Sequence, residues 1–264
     1  MQIRRGPPVD LARSGGDNGA GFLNSSVALP RDVERKYRTP DCDTIVTATR
    51  DIPRAIGVDP IKAIFDRGLA AFGLMLMSPL LAMGALAILI DGLIRPEDRG
   101  PVLYREARIS KGEPFMLFKF RTMQVDAIEE VLARGLTVKS LERQNRGHTP
   151  VGNFLRRYYL DELPQLMNIL HGNMSFVGPR PSAPPEYELE LTKGIVRKKL
   201  AKAGLVGLQQ ASKGYTESYD QEVALDYEYV RRAGSISPLR RLAYDVSIMV
   251  RCVRILMEGK GLSY

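Results

Sequence analysis

The residues best suited to chemistry are the adjacent carboxylates Asp161 and Glu162, at the head of the stretch Leu160-Asp161-Glu162-Leu163-Pro164-Gln165-Leu166-Met167-Asn168-Ile169-Leu170. Leu163, Leu166, Met167 and Leu170 stand at i, i+3, i+4 and i+7, which predicts one apolar helix face that Gly172 stops. Asp161 reads as the N-cap, and Pro164 is tolerated because it falls in the first turn. Neighbouring positions do not share a helix face, so one carboxylate can attack while the other holds a metal or a proton. Cations suited to a phosphorylated substrate stand elsewhere in the chain. Lys119 and Arg121 alternate with Phe118 and Phe120, which predicts both cations on one strand face, either a phosphate site or an ordinary solvated surface. Arg180 lies between Pro179 and Pro181, whose bias towards extended backbone presents the guanidinium with little entropy left to lose.

Composition narrows the class. The 264 residues carry 38 Lys and Arg against 30 Asp and Glu, a net charge of +8, which suits nucleic acid, anionic lipid or a phosphorylated substrate. Basic and aromatic residues do not interleave beyond the Lys119 strand, which argues against nucleic acid. Cys42 and Cys252 lack metal-ligand spacing and read as thiols of a reduced compartment. With His148 and His171 as the only histidines, a zinc site or a Ser-His-Asp triad has few parts to draw on. His171 follows the Asp161 helix and is expected to meet its last carbonyls.

The elements that must position these groups predict an α+β fold, mainly helical. Residues 1–60, punctuated by Gly and Pro, read as a disordered arm. Gly68 to Ile90 carries no charge and passes the threshold of roughly 18 apolar residues for a membrane helix. Ser78-Pro79 interrupts it midway. Arg50, Arg54, Lys62 and Arg67 precede the run, and Arg95, Arg99, Arg105 and Arg108 follow it, so flanking charge gives no direction of crossing. These features favour a re-entrant helix hairpin over 61–92, both ends on the cytoplasmic face, above a straight span. Residues 93–264 then form a small cytosolic domain. Strands are expected at 100–105 and 114–121 around a turn at Lys111-Gly112-Glu113, a helix at 126–134, a polar loop at 135–150, and helices at 186–203, 220–232 and 239–257. The last carries a stripe of Leu242, Val246, Met249, Val253 and Leu256 beside Arg240, Arg251 and Arg254, which fits either core packing or a helix lying on lipid.

The broken apolar run, Lys119-Phe120-Arg121-Thr122-Met123, Asp161-Glu162-Leu163-Pro164-Gln165-Leu166 and Val177-Gly178-Pro179-Arg180-Pro181, in that order, resemble the bacterial sugar transferases, the small monotopic phosphoglycosyl transferases. The likeness covers roughly Ile61 to the C-terminus. It implies transfer of a sugar-1-phosphate from a UDP-sugar to polyprenyl (undecaprenyl) phosphate with release of UMP, in exopolysaccharide or other glycoconjugate synthesis. Asp161 is implied as the nucleophile that carries a covalent phosphosugar and as a Mg²⁺ ligand, with Glu162 assisting through metal, proton or hydrogen bond. Lys119, Arg156 and Arg180 match active-site positions, and Ser78-Pro79 matches the membrane break. The likeness further implies the bacterial inner membrane, with the catalytic domain facing the cytoplasm and lipid as a partner; a homodimer stays open. Three departures stand out. Tyr159 replaces a Ser, Ala203-Gly204-Leu205-Val206-Gly207 stands for Pro-Gly-Ile-Thr-Gly, and Ser212-Lys213-Gly214 stands for Asn-Gly-Arg, leaving Lys213 as a point charge for phosphate. The alternatives are a membrane-anchored basic scaffold or nucleic-acid-binding protein in which Asp161 is only a helix cap, and a metal-dependent phosphohydrolase on the same carboxylates.

Overall fold

The computed structural model describes residues 52–57, 59–134, 138, 146–212 and 218–258. Most of the arm expected at 1–60, much of the loop expected at 135–150, Cys42 and Lys213 lie outside the described residues. The described chain is mainly helical, with one long apolar helix and a few short strands.

Helix α1, Pro60–Ile94, starts at Asp59, whose carboxylate accepts from the Ile61 and Lys62 amides. It runs through Pro79 as one helix, so the interruption expected there is not a break in helical structure. The reason is local. Proline 79 cannot donate to the Met75 carbonyl four residues back, and the Ser78 hydroxyl donates to that carbonyl instead, at 2.8 Å. At about 1.5 Å per residue the helix is roughly 52 Å long.

An all-round apolar sequence concealed a packing face made of small residues. Asp66, Ala70, Gly84, Ile88, Asp91 and Gly92 are buried. A Cβ on Gly73 would touch Leu166, and one on Gly84 would meet the Phe120 ring at 3.2 Å. The opposite face leaves Ile64, Phe72, Met75, Met83, Leu86 and Leu93 exposed. Both ends of α1 are fastened to the same domain. At the start, Lys62 Nζ contacts Asp245 at 2.6 Å; at the far end, Arg99 Nε donates to the Gly92 carbonyl at 3.1 Å.

Strands β1, Leu103–Ser110, and β2, Glu113–Phe120, form an antiparallel hairpin with Tyr104 opposite Lys119 and Glu106 opposite Leu117. Lys111 and Gly112 turn it with φ of 53° and 84°, the double positive φ of a tight hairpin turn. After α2, Val125–Ala133, come α3, Pro150–Arg157, a 3-10 turn at Leu160–Glu162, and α4, Gln165–His171. Strand β3, Ser175–Val177, pairs in parallel with β4, Gly204–Val206. Between them lie α5, Pro184–Thr192, and α6, Arg197–Leu200, where one helix over 186–203 was expected. Gly194, at φ 75°, turns the chain so that Arg197 doubles back on Glu190. Helices α7, Leu208–Ala211, α8, Tyr219–Ser235, and α9, Pro238–Met257, complete the fold. Ile169, Met174, Val177, Ile195, Val223, Tyr227 and Ile248 centre the main core. Ile88 of α1, Phe120 and Leu155 form a second, smaller one.

Of the stripe read on α9 as either core packing or a lipid-lying face, Val246, Val253 and Leu256 are exposed and Met249 packs against the main core. Arg241, Tyr244, Asp245 and Ile248 face inward, while Leu239, Val250, Val253 and Met257 are exposed. Arg241 and Asp245 are admitted because Asp59, the Ala233 carbonyl, Lys62 and Tyr229 supply their partners.

Filling the seam between α1 and the second core should be costly. Gly84→Leu drives side-chain atoms into Phe120 and Leu155 and is expected to lower stability by about 1–3 kcal/mol, read as an earlier unfolding midpoint in detergent micelles.

Candidate active site

Asp161 does not cap the following helix. The N-cap of α4 is Pro164, at φ −60° and ψ −16°, which leaves Asp161 a turn earlier, in the 3-10 segment. Tyr159 sets up that segment from the left-handed region, φ 56° and ψ 19°, a conformation that costs an L-residue about 1–2 kcal/mol. The chain thereby leaves α3 and delivers Asp161, buried at 9 % exposure, into a small cleft whose walls include Tyr104, Glu106, Arg108, Lys119 and Thr122. The face of α4 that packs inward is Gln165, Leu166, Asn168 and Ile169, rotated from the leucine stripe the spacing predicted; Leu170 is exposed. Gly172 ends the helix in the left-handed conformation as expected, and His171 Nδ1 lies 2.6 Å from the Met167 carbonyl.

The rotation follows from Asn168. Fully buried, it accepts from the Phe118 amide at 2.9 Å and donates to the Met116 carbonyl at 2.7 Å, occupying the free edge of β2. Lys119, the next residue of that strand, is thereby held near Glu162.

The charged groups of the cleft form one alternating chain. Arg108 Nη2 lies 2.7 Å from Glu106 Oε1, and Lys119 Nζ lies 4.0 Å from the same oxygen and 3.8 Å from Glu162 Oε1. Arg180 Nη2 closes on Glu162 Oε1 at 2.8 Å. Burial alone pushes the Glu162 carboxyl up, but Arg180, Lys119 and Arg108 outweigh it and hold it below the ordinary carboxylate value. Glu162 is therefore an anion that spaces two cations rather than a ready proton donor.

Arg180 is presented by a loop fixed from behind. The Gly204 amide donates to the Pro179 carbonyl at 2.9 Å, and Lys198 Nζ donates to the Arg180 carbonyl at 2.6 Å. Lys198 is itself buried in a quartet: it meets Asp226 Oδ2 at 3.1 Å, and Arg197 bridges Asp226 at 2.9 Å and Glu190 at 2.5 Å. Burial and neighbouring Arg197 lower the Lys198 ammonium, against the pull of Asp226 and Glu190. The retained glycines of Ala203-Gly204-Leu205-Val206-Gly207 have a steric cause, since a Cβ at Gly204 or Gly207 would run into the backbone of Gly178.

The remaining site residues fall in two places. Arg156 lies in the last turn of α3, with Nη1 2.6 Å from His148 Nε2. His148 Nδ1 faces the Thr122 carbonyl at 3.3 Å, which assigns the proton to Nδ1 and leaves Nε2 to accept. Arg121 is a correction. Its guanidinium is buried and donates to the carbonyls of Pro101, Met123 and Asp98 at 2.9, 3.0 and 2.6 Å, so it braces the exit of β2 rather than offering its fork to a ligand. The strand ends at Phe120, so Arg121 does not alternate with Lys119 on one strand face, although both residues line the cleft.

Tyr104, Glu106, Arg108 and His148 were not foreseen. The hairpin turn at Lys111-Gly112 carried the signal for the first three, because extending its register pairs Tyr104 with Lys119 and brings Glu106 and Arg108 onto the same face. Nothing in the sequence pointed to His148.

A buried carboxylate on a 3-10 turn, facing a cation-lined hairpin beneath a long apolar helix, is the arrangement of a membrane-associated group-transfer enzyme. Comparison with known proteins agrees. The family described as bacterial sugar transferase matches residues 58–259, and the chain belongs to that family. It is 36 % identical over 215 residues to a UDP-glucose:undecaprenyl-phosphate glucose-1-phosphate transferase of Caulobacter vibrioides, covering 78 % of this chain and 73 % of the relative. It is 38 % identical over 197 residues to the exopolysaccharide production protein ExoY of Rhizobium meliloti, covering 68 % and 83 %. An Escherichia coli K12 protein with the same name as the first is 36 % identical over 179 residues, 65 % of this chain, but the match spans only 36 % of that longer relative.

Removing the partner at 2.8 Å tests the electrostatic assignment. In Arg180→Ala the Glu162 titration midpoint should rise, followed by carbon-detected NMR of labelled glutamate in micelles. In the native protein the stabilisation from this pair is present above the unfolded carboxylate value and is lost as pH falls through the lowered folded value.

Proposed function

We propose that the chain transfers a sugar-1-phosphate from a UDP-sugar to a polyprenyl phosphate, undecaprenyl phosphate by analogy with its relatives' names, and releases UMP in a step of exopolysaccharide or related glycoconjugate synthesis. The observation that carries the reading is Asp161, a buried carboxylate in a cleft lined by Lys119 and Arg108, with Arg180 paired to the adjoining Glu162. In the first step an Asp161 oxygen attacks the phosphorus bearing the sugar; the bond to the bridging oxygen breaks, and UMP leaves with its electron pair. In the second, an oxygen of the lipid phosphate attacks the same phosphorus, the bond to Asp161 breaks, and the carboxylate is restored as the polyprenyl diphosphosugar departs. Two steps let a water-soluble donor leave before a membrane-bound acceptor arrives. Lys119, Arg156 and Arg180 stabilise charge on the phosphoryl oxygens, and Glu162 keeps Lys119 and Arg180 apart. Lys213, implied by the resemblance as a point charge for phosphate, lies outside the described residues.

Mg²⁺ belongs to the same reading as an ion that would be held mainly by substrate and water. Among the described residues no three His, Cys, Asp or Glu side chains cluster to cage a metal, and Mg²⁺ commonly keeps several waters while taking one or two carboxylates. Asp161 would hold it, and when bound it would offset the diphosphate charge.

Placement at the inner membrane, with the domain on the cytoplasmic side and α1 re-entrant, belongs to the same reading. Length and composition alone allow α1 to cross a membrane. Its start contacts the domain through Asp245 and its end through Arg99, which supports a common side for both ends, while the helix itself runs unbroken through Pro79. Exposed Phe154 and Tyr158 at the end of α3, their rings tilted with centroids 5.0 Å apart, and the apolar outer stripe of α9 suit the headgroup boundary.

Detergent-purified protein given Mg²⁺ and a panel of UDP-sugars without lipid should release UMP in a burst no larger than the enzyme present, with a matching mass increment on Asp161. Asp161→Asn should give neither; turnover by that variant would sink the nucleophile assignment, and continuous release of sugar phosphate would favour a hydrolase. For the topology, cysteines introduced as Gly57→Cys and Glu97→Cys in a cysteine-free background should label from the same side of sealed vesicles, and labelling from opposite sides rejects re-entry.

A further inference from the structure

The interior of the cleft holds a cation that no relative's name or sequence motif assigns. Arg108 projects from β1 on the same face as Lys119, as the hairpin register requires. It lines the cleft with Asp161. One of its donors is engaged, Nη2 with Glu106 at 2.7 Å, but Nε is buried and has no hydrogen-bond partner among the described residues. A buried N–H without an acceptor carries an uncompensated desolvation cost, and an Arg fork is the group best matched to paired oxygens of a phosphate. The neighbouring anion is shared: Glu106 meets Arg108 at 2.7 Å and lies 4.0 Å from Lys119.

From this geometry we propose that Arg108 grips a phosphoryl group of the substrate, with Glu106 as the resident counter-ion that gives way when it arrives. The inference rests on the transferase reading and adds to it the residue that seizes the phosphate. An entering phosphoryl oxygen satisfies Nε and takes over from Glu106 on the adjacent Nη2, so the fork changes from one hydrogen bond to two. Glu106 keeps Lys119 as a partner and is not stranded.

Phosphoryl oxygens reach the cleft from two sources, a nucleoside diphosphate or a prenyl phosphate, and separate titrations tell them apart. Calorimetry on the full chain in micelles would use UDP with Mg²⁺ in one arm and geranyl phosphate in the other. Arg108→Met should weaken at least one of the two by tenfold or more, and the arm affected names the source. Arg108→Lys, which keeps the charge and loses the fork, should fall between Arg108→Met and wild type and guards against a folding defect, checked by its unfolding midpoint. Glu106→Gln should bind the same probe as tightly as wild type or more so. Unchanged binding of both probes by Arg108→Met overturns the inference, as does a loss in Glu106→Gln equal to that in Arg108→Met, which would make the pair a structural brace. If wild type binds neither probe, the transferase reading falls and takes this one with it.

Discussion

A single buried amide side chain sets the geometry of the cleft. Asn168 has no access to water, and its two hydrogen bonds to β2 substitute for the strand that would otherwise continue the sheet. An amide left unpaired at that depth would cost several times the worth of one exposed hydrogen bond, so the register between α4 and the hairpin is tightly defined. Through that register the segment carrying Asp161 and Glu162 is aligned with the strand carrying Lys119. The leucines that looked like the inward face of α4 yield to the polar residue because its partners are fixed backbone groups, whereas an apolar side chain can be buried against many neighbours.

Around this alignment the charges are arranged in two tiers. In the cleft, three cations and two carboxylates alternate from Arg108 to Arg180. Beneath it, Glu190, Arg197, Asp226 and Lys198 balance two against two and reach the upper tier through the Arg180 carbonyl. Buried ion pairs contribute little net stability when weighed against desolvation, so their evident consequence is positional: each guanidinium is held in one orientation. Tyr159 belongs with them, since its left-handed backbone is a strain that the surrounding packing must sustain.

Local sequence carried some of this and tertiary context the rest. The apolar run, the hairpin turn at Lys111-Gly112 and the stop at Gly172 were legible because each depends on a few neighbouring residues. The pairing of Glu162 with Lys119 and Arg180 was not, because it joins three elements far apart in the chain. Arg121 misled for the same reason: its type and spacing resemble those of Lys119, and only the course of Pro101 and Asp98 around it shows that its donors are already engaged. The small-residue face of α1 was hidden by hydropathy, which scores Gly84 and Leu86 as alike in being uncharged yet ignores that one faces Phe120 and the other faces outward.

That face gives α1 a second identity, as a wall of the domain. Cutting the chain after Ile94 to obtain a more soluble fragment would strip the cover from Leu166, Phe120 and Leu155 and unseat Asp245 from Lys62. The excised catalytic piece would then carry a fresh oily scar of its own, and a preparation meant to escape detergent would need it more.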